Sequence, residues 1–274
     1  MDDLGRLSLN LATTRMQWGG CQGIAGAARA GLRWAAPWRD QIAKDGLAEV
    51  ARALKDHGVS ASSLCRGGMF PAESAAKRQA AIDDNRRALD QARALGSAVL
   101  VLVVGGLPAG SKDIAGARAM VEDGIAALLP HARAVDIALA IEPLHPMYAA
   151  DRACINTIGQ ALDLCDRLGA GVGVAVDVYH VWWDPDLERQ IERAGGSRLL
   201  GFHICDWLVP TRDLLLDRGM MGDGIIDLAR IRRWMEQAGY DGPIEVEIFS
   251  AENWWQRDPD EVVAIAKQRF LEVV

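Results

Sequence analysis

Residues Ala98–Val104 read AVLVLVV, an unbroken apolar run. Side chains of a strand alternate between the two faces of its sheet. A strand apolar at every position is therefore buried on both faces, as in a parallel sheet covered by helices. Working outward, Ser74–Leu95 before it and Ile114–Val135 after it carry the longer spacing of amphipathic helices. Strands then follow at Ile137–Glu142, Gly173–Asp177, Leu199–Ile204 and Ile244–Ile248. Helices Ala153–Leu168, Asp186–Ala194, Asp227–Ala238 and Pro259–Phe270 alternate with them. Toward the N-terminus the strands are Arg6–Leu11, Leu32–Ala35 and Val59–Leu64, with helices Cys21–Ala30 and Asp40–His57 between them. Strict alternation predicts right-handed crossovers in a parallel sheet. Eight such units, of about 34 residues each, predict an α/β (β/α)8 TIM barrel formed as a single domain by residues 1–274. The rival open sheet with a dinucleotide site lacks its fingerprint, since no G-x-G-x-x-G follows the first strand. Neither nicotinamide nor flavin is expected.

Composition narrows the partners. Half the residues are hydrophobic and 24% are charged, enough for a large core and too apolar for disorder. No apolar run approaches the roughly 18 residues of a membrane span, and Met1-Asp2-Asp3 is acidic where a signal peptide is basic. Five widely spaced cysteines (Cys21, Cys65, Cys154, Cys165, Cys205), with no C-x-x-C pair, read as buried thiols of a cytoplasmic protein. The formal net charge of -7 and the lack of a basic run argue against nucleic acid as a partner.

A barrel builds its site at the C-terminal ends of the strands. There the second half of the chain is consistent: ALAIEPLHP places Glu142, VAVDVYHVWW places Asp177, LLGFHICDW places His203 and IEVEIFS places Glu247. A single strand-end carboxylate is ordinarily a cap or a salt-bridge partner. Four such groups on successive strands gather three carboxylates and one imidazole in a small volume, which requires a counter-charge. One divalent cation supplies it. The oxygen-rich donor set makes Mn²⁺ the first choice, with Mg²⁺ or Co²⁺ behind it.

Strand-end Glu142, D-x-x-H at Asp177 and His180, H-x-x-D at His203 and Asp206, and strand-end Glu247 resemble the sugar phosphate isomerase/epimerase group, the xylose-isomerase-like TIM barrels. Gly222–Asp227 (GDGIID) and Pro37–Asp40 (PWRD) resemble its loops. The resemblance implies metal ligation by Glu142, Asp177, His203 and Glu247, and substrate contact by His180. It also implies a sugar-type substrate and an oligomer. The group's DNA-repair endonucleases carry extra His and Asp ligands for three metal ions. Here there are only five histidines, and His57 and His131 lie in or at the end of helices.

His145 follows Glu142 by three residues, in a loop stiffened by Pro143 and Pro146. An imidazole so held is either a loop residue satisfied by backbone or a general base. This E-P-x-H form resembles the larger subunit of the C-glycoside deglycosidases and related 3-keto-glycoside lyases. That branch implies His145 as the base of a β-elimination and a hetero-oligomer with a small subunit. Many of the nine tryptophans, among them Trp38, Trp182, Trp183, Trp207, Trp254 and Trp255, follow predicted strands and suit a wall for a sugar ring. Trp18 could extend that wall, whereas Trp34 and Trp234 read as core. The long loop Asp206–Asp223 offers Arg212 or Arg218 to substrate oxygens, with Arg212 preferred, and its apolar residues suit a lid or a subunit contact. Substrate contacts are thus expected from His180, Arg212, Trp183, Trp207 and Asp206. Two readings stand level on mechanism. One is an isomerase or epimerase that polarises a sugar carbonyl and takes the adjacent proton, through an enediolate, with Glu142 and Glu247 as acid/base pair. The other is the lyase with His145 as base. A non-catalytic binding barrel is the third.

Overall fold

The run that decided the fold is a strand buried along its whole length in the computed structural model, which describes residues 3–274. Met1 and Asp2, of the acidic N-terminus invoked above, lie outside the described residues. In chain order the elements are β1 (Leu7–Asn10), α1 (Gly20–Arg29), β2 (Trp34–Ala36), α2 (Arg39–Asp45), α3 (Leu47–His57), β3 (Ser60–Ala61), β4 (Leu64–Gly68) and α4 (Ala75–Ala94). They continue as β5 (Val99–Val103), α5 (Ile114–Ala134), β6 (Ala138–Ile141), α6 (Ile158–Leu168), β7 (Val172–Asp177), α7 (Val178–Val181), α8 (Leu187–Arg198) and β8 (Leu199–Ile204). A short antiparallel pair, β9 (Asp206–Trp207) and β10 (Arg218–Gly219), precedes α9 (Leu228–Gln237), β11 (Ile244–Val246) and α10 (Pro259–Val273).

The main sheet is parallel and nine-stranded, in the order β3-β2-β1-β11-β8-β7-β6-β5-β4. Its ends meet because the third barrel strand is broken in two. β3 pairs with β2 and β4 pairs with β5, and a parallel bridge between Trp38 and Cys65 joins the edges. One continuous strand over Val59–Leu64 was expected; Ser62 and Ser63 interrupt it. The Ser62 hydroxyl turns inward to donate to Glu245 at 2.7 Å. The expected helix Asp40–His57 is likewise two, because Gly46 between them adopts a φ of 93°. That backbone is open to glycine and strained for other residues. Helix α6 starts at Ile158, capped by the Thr157 hydroxyl, rather than at Ala153. The residues before it form a loop over the barrel mouth, held where the Asn156 amide donates to the carbonyls of Leu144 and Ala153.

Both faces of the sheet are covered. Outward side chains such as Leu100, Leu102, Leu139 and Ile141 pack with the helices in one large core, while Cys65, Val99, Val101, Ala140 and Ala175 fill the lower barrel interior. This is the layered barrel filling that fixes the strand ends rigidly. Trp34 and Trp234, expected in the core, are only partly buried.

Candidate metal centre

Glu142, Asp177, His203 and Glu247 come from four neighbouring strands, β6, β7, β8 and β11. Register brings them level: Asp177 lies opposite His203 across β7 and β8. The backbone N–H groups of Glu142 and Glu247 donate to Leu102 and Ile204, continuing the ladder beyond the strand ends. One ligand atom from each of the four lies within 4.8 Å of the others, and all four residues are buried. His203 Nδ1 stands 3.0 Å from Glu142 Oε1 and 3.3 Å from Glu247 Oε2. Yet Glu142 Oε1 and both His203 nitrogens make no hydrogen bond among the described residues. Buried polar atoms without a hydrogen bond are costly. A set of three carboxylates and one imidazole with such atoms converging fits a divalent cation.

The layer beneath adds a further carboxylate. Glu245 Oε2 lies 3.4 Å from His203 Nε2, leaving Nδ1 to face Glu142 and Glu247. Its two oxygens also accept from Asn10 (2.9 Å) and Ser62. The Asn10 side-chain carbonyl in turn accepts from the Trp38 indole at 2.7 Å. Were His203 to hold a cation, a carboxylate at this position would favour one tautomer and raise the imidazole's basicity.

Charge at the centre is balanced by one buried guanidinium. Arg218 Nη1 donates to Asp177 Oδ2 at 2.8 Å and lies 3.4 Å from Glu247 Oε2, while Nη2 is 3.1 Å from His180 Nε2. Its Cζ also lies 4.4 Å from the centre of the Tyr179 ring. Burial would raise the Asp177 carboxyl, but Arg218, with His180 and His203, outweighs it and holds Asp177 below the usual carboxylate range. Burial pushes Glu142 up to about 7, a rise that His203 moderates and Glu247 reinforces. A cation at this point would lower it again. Burial drives His180 down to about 3, so this imidazole is neutral and can accept or donate one hydrogen bond.

Glu142, His180, Arg218 and Glu247 line one cavity of about 310 Å³ at the barrel mouth, in the size range of small-molecule sites. Trp38 and Trp255 line it as expected, joined by Phe249. Other expected contacts lie elsewhere. Asp206 is buried and its carboxylate accepts from the N–H groups of Trp207, Gly222, Gly224 and Ile226, so it clamps the GDGIID loop. A Cβ on Gly224 would come within 2.1 Å of the Trp207 carbonyl and 2.6 Å of Asp206 Oδ1. Gly224→Ala is therefore expected to lower the melting temperature and impair turnover together; unchanged melting and kinetics would refute the clamp.

Arg212, preferred from sequence, points outward and forks onto Asp217, its side chain 59% exposed. Arg218 is the loop arginine at the site. The antiparallel β9–β10 pairing within the loop places it there, which the spacing could not show. Of the loop's apolar residues, Met220 and Met221 enter the core and Leu215 and Leu216 form a cavity wall.

His145 does not line this cavity. Its ring stacks on Trp207 at 5.1 Å and meets Trp183 edge-on at 5.9 Å, and Nδ1 accepts from the Met147 N–H. Burial lowers its pKa. Trp207, Trp182 and Tyr179 form the aromatic cluster beneath it, and Trp183 donates to the His180 carbonyl. These tryptophans support the mouth from beside the cavity. Trp254 is buried, and Trp18 packs against Gly26 and carries Arg29 over its ring. Glu245, Asn10, Arg66, Tyr148 and Arg152 were not singled out from sequence. Glu245 carried a usable signal, a second carboxylate inside an otherwise apolar strand.

Comparison with known proteins agrees with this geometry. A family model described as xylose isomerase-like TIM barrel matches residues 21–271. The crystal structure of a protein from Sinorhizobium meliloti 1021 is 60% identical, covers 98% of each chain and superposes with a TM-score of 0.97. An inosose isomerase from Halalkalibacterium halodurans is 28% identical over 44% of this chain, which spans less than half (43%) of that relative. L-ribulose-5-phosphate 3-epimerase UlaE of Escherichia coli is 23% identical over 80% of this chain and 74% of its own. The IOLI protein, solved with a zinc atom, shares the fold with a TM-score of 0.84 at 19% identity and 98% coverage of both chains. The buried Glu-Asp-His-Glu set at the mouth of a parallel barrel and these matches agree: the chain belongs to the xylose isomerase-like TIM barrel family.

Proposed function

We propose that this protein is a divalent-metal-dependent sugar isomerase or epimerase. The observation that carries the reading is the placement of Glu142 and Glu247. They are the outer members of the four-ligand set, separated by β7 and β8, and both line the cavity. Relatives named inosose isomerase and ribulose-5-phosphate 3-epimerase support it. A cation held by Glu142, Asp177, His203 and Glu247 would supply Lewis-acid polarisation of a substrate carbonyl. Mn²⁺ remains the first choice, with zinc suggested by the IOLI protein as the competitor to test.

The chain's own residues do the rest. One glutamate takes the proton next to the carbonyl from its side of the cavity, and the other returns a proton from the opposite side. Return to the same carbon from the other face gives epimerisation. Neutral His180 and cationic Arg218, themselves bonded, offer donors to substrate oxygens between the two glutamates. Trp38, Phe249 and Trp255 provide apolar walls that exclude water from the reacting carbon. Solvent deuterium appearing at the carbon next to the carbonyl, followed by NMR, tests the reading. A turnover without such exchange, requiring hydride transfer from an added nucleotide, would exclude it.

The elimination reading has less geometric support, because the His145 ring is packed on Trp207 and its Nδ1 is taken by Met147. His145→Ala is accordingly expected to leave bound metal unchanged and to alter KM more than kcat. A drop of about 10²–10⁴ in kcat at normal metal content would restore His145 as the base. An oligomer in the cytoplasm is the form we propose, which sedimentation of the purified protein and localisation of a tagged chain would check.

A further inference from the structure

The cavity that holds the glutamates is lined by four arginines in a chain of net charge -7. Arg218 is neutralised by Asp177 and Glu247. Arg15 is paired with Asp40 and lies over the rings of Trp38 and Phe249. Neither of the other two forms an ion pair with a carboxylate among the described residues. Arg66, from β4, makes neither a hydrogen bond nor an ion pair within the described residues and is half-buried. Burial lowers its pKa and the charge of Arg152 lowers it further, and the more modest attractions of Glu142 and Asp40 do not offset them. Arg152, from the loop after β6, is also half-buried and rests on the Tyr148 ring at 5.6 Å, with no ion pair among the described residues. Two cations that share a partly desolvated cavity and repel one another cost stability. A bound anion removes that cost, and the planar guanidinium fork is matched to carboxylate and phosphate oxygens.

We propose that the substrate carries an anionic group, a carboxylate or a phosphate, held by Arg66 and Arg152 while its carbonyl end lies toward Glu142 and Glu247. This rests on the isomerase reading for the carbonyl end only. The anion subsite stands on the two unpaired arginines. It makes this enzyme selective for sugar acids or sugar phosphates over neutral sugars.

The test uses three ligands without a carbonyl and of one configuration: a hexitol, the corresponding aldonate and the hexitol phosphate. Their binding is measured by calorimetry to the full chain, with and without added Mn²⁺. One anion is expected to bind at least about tenfold tighter than the hexitol, and its identity distinguishes carboxylate from phosphate. Arg66→Gln and Arg152→Gln should each weaken that anion by about 10- to 100-fold, the usual worth of a charge-assisted contact, while leaving the hexitol unchanged. Arg66→Lys keeps the charge and should retain part of the preference. Because the two cations repel, both Gln variants should melt at or above the wild-type temperature, which a structural role would not give. Equal binding of all three ligands, no anion binding at millimolar concentration, or Gln variants that melt lower and keep the preference would each overturn the subsite. None of these outcomes touches the deuterium-exchange test, so the two readings fail separately.

Discussion

Glu142→Gln and Glu247→Gln are each expected to lower kcat by about 10²–10⁴, the usual contribution of a positioned acid or base. An amide keeps the volume and one ligating oxygen but cannot carry the proton. Asp177→Asn differs in kind. Asp177 does not line the cavity, and its carboxylate is committed to Arg218 and the ligand cluster. Its loss should act on metal content first and on turnover through it. Elemental analysis of the three variants, with kcat and KM for each, separates the roles. Metal-replete Glu variants with near-normal kcat would remove the glutamates from proton transfer. An Asp177→Asn protein with unchanged metal affinity would remove Asp177 from the ligand set.

Arg218→Met should destabilise the protein by about 3–5 kcal/mol, the usual cost of stripping one partner from a buried ion pair. The guanidinium is 3% exposed and, among the described residues, is the one buried arginine beside Asp177 and Glu247. Methionine fills the space but leaves those carboxylates without their cation. Divalent metal should then recover more stability in the variant than in the wild type, because it becomes the main counter-charge. Chemical denaturation of both proteins, with and without Mn²⁺, measures this. Equal stability of the two proteins without metal would show that the pair is not holding the centre together.

Most of the barrel was legible because its signals are local. A strand buried on both faces reveals itself as an apolar run, as at Val99–Val103, and Leu199–Ile204 has the expected bounds. Elements bent by distant partners were misjudged. The third strand breaks where Ser62 turns toward Glu245, a partner 183 positions away. Helix α6 begins late because Asn156 ties its preceding loop to Leu144.

The same division holds at the site. The sequence by itself pointed to the four residues that the fold gathers, since a carboxylate or imidazole at the end of an apolar strand is conspicuous and strand order follows chain order from β6 to β8. It could not rank Arg212 against Arg218, for both lie in one loop and only the β9–β10 pairing decides which turns inward. Nor could it place His145, whose three-residue offset from Glu142 suggests proximity although the loop turns its ring onto Trp207. Arg66 and Arg152 are 86 positions apart, and nothing local marks either as part of a site. Tertiary structure alone decides which charges are left without partners, because pairing depends on packing between elements that the sequence keeps far apart.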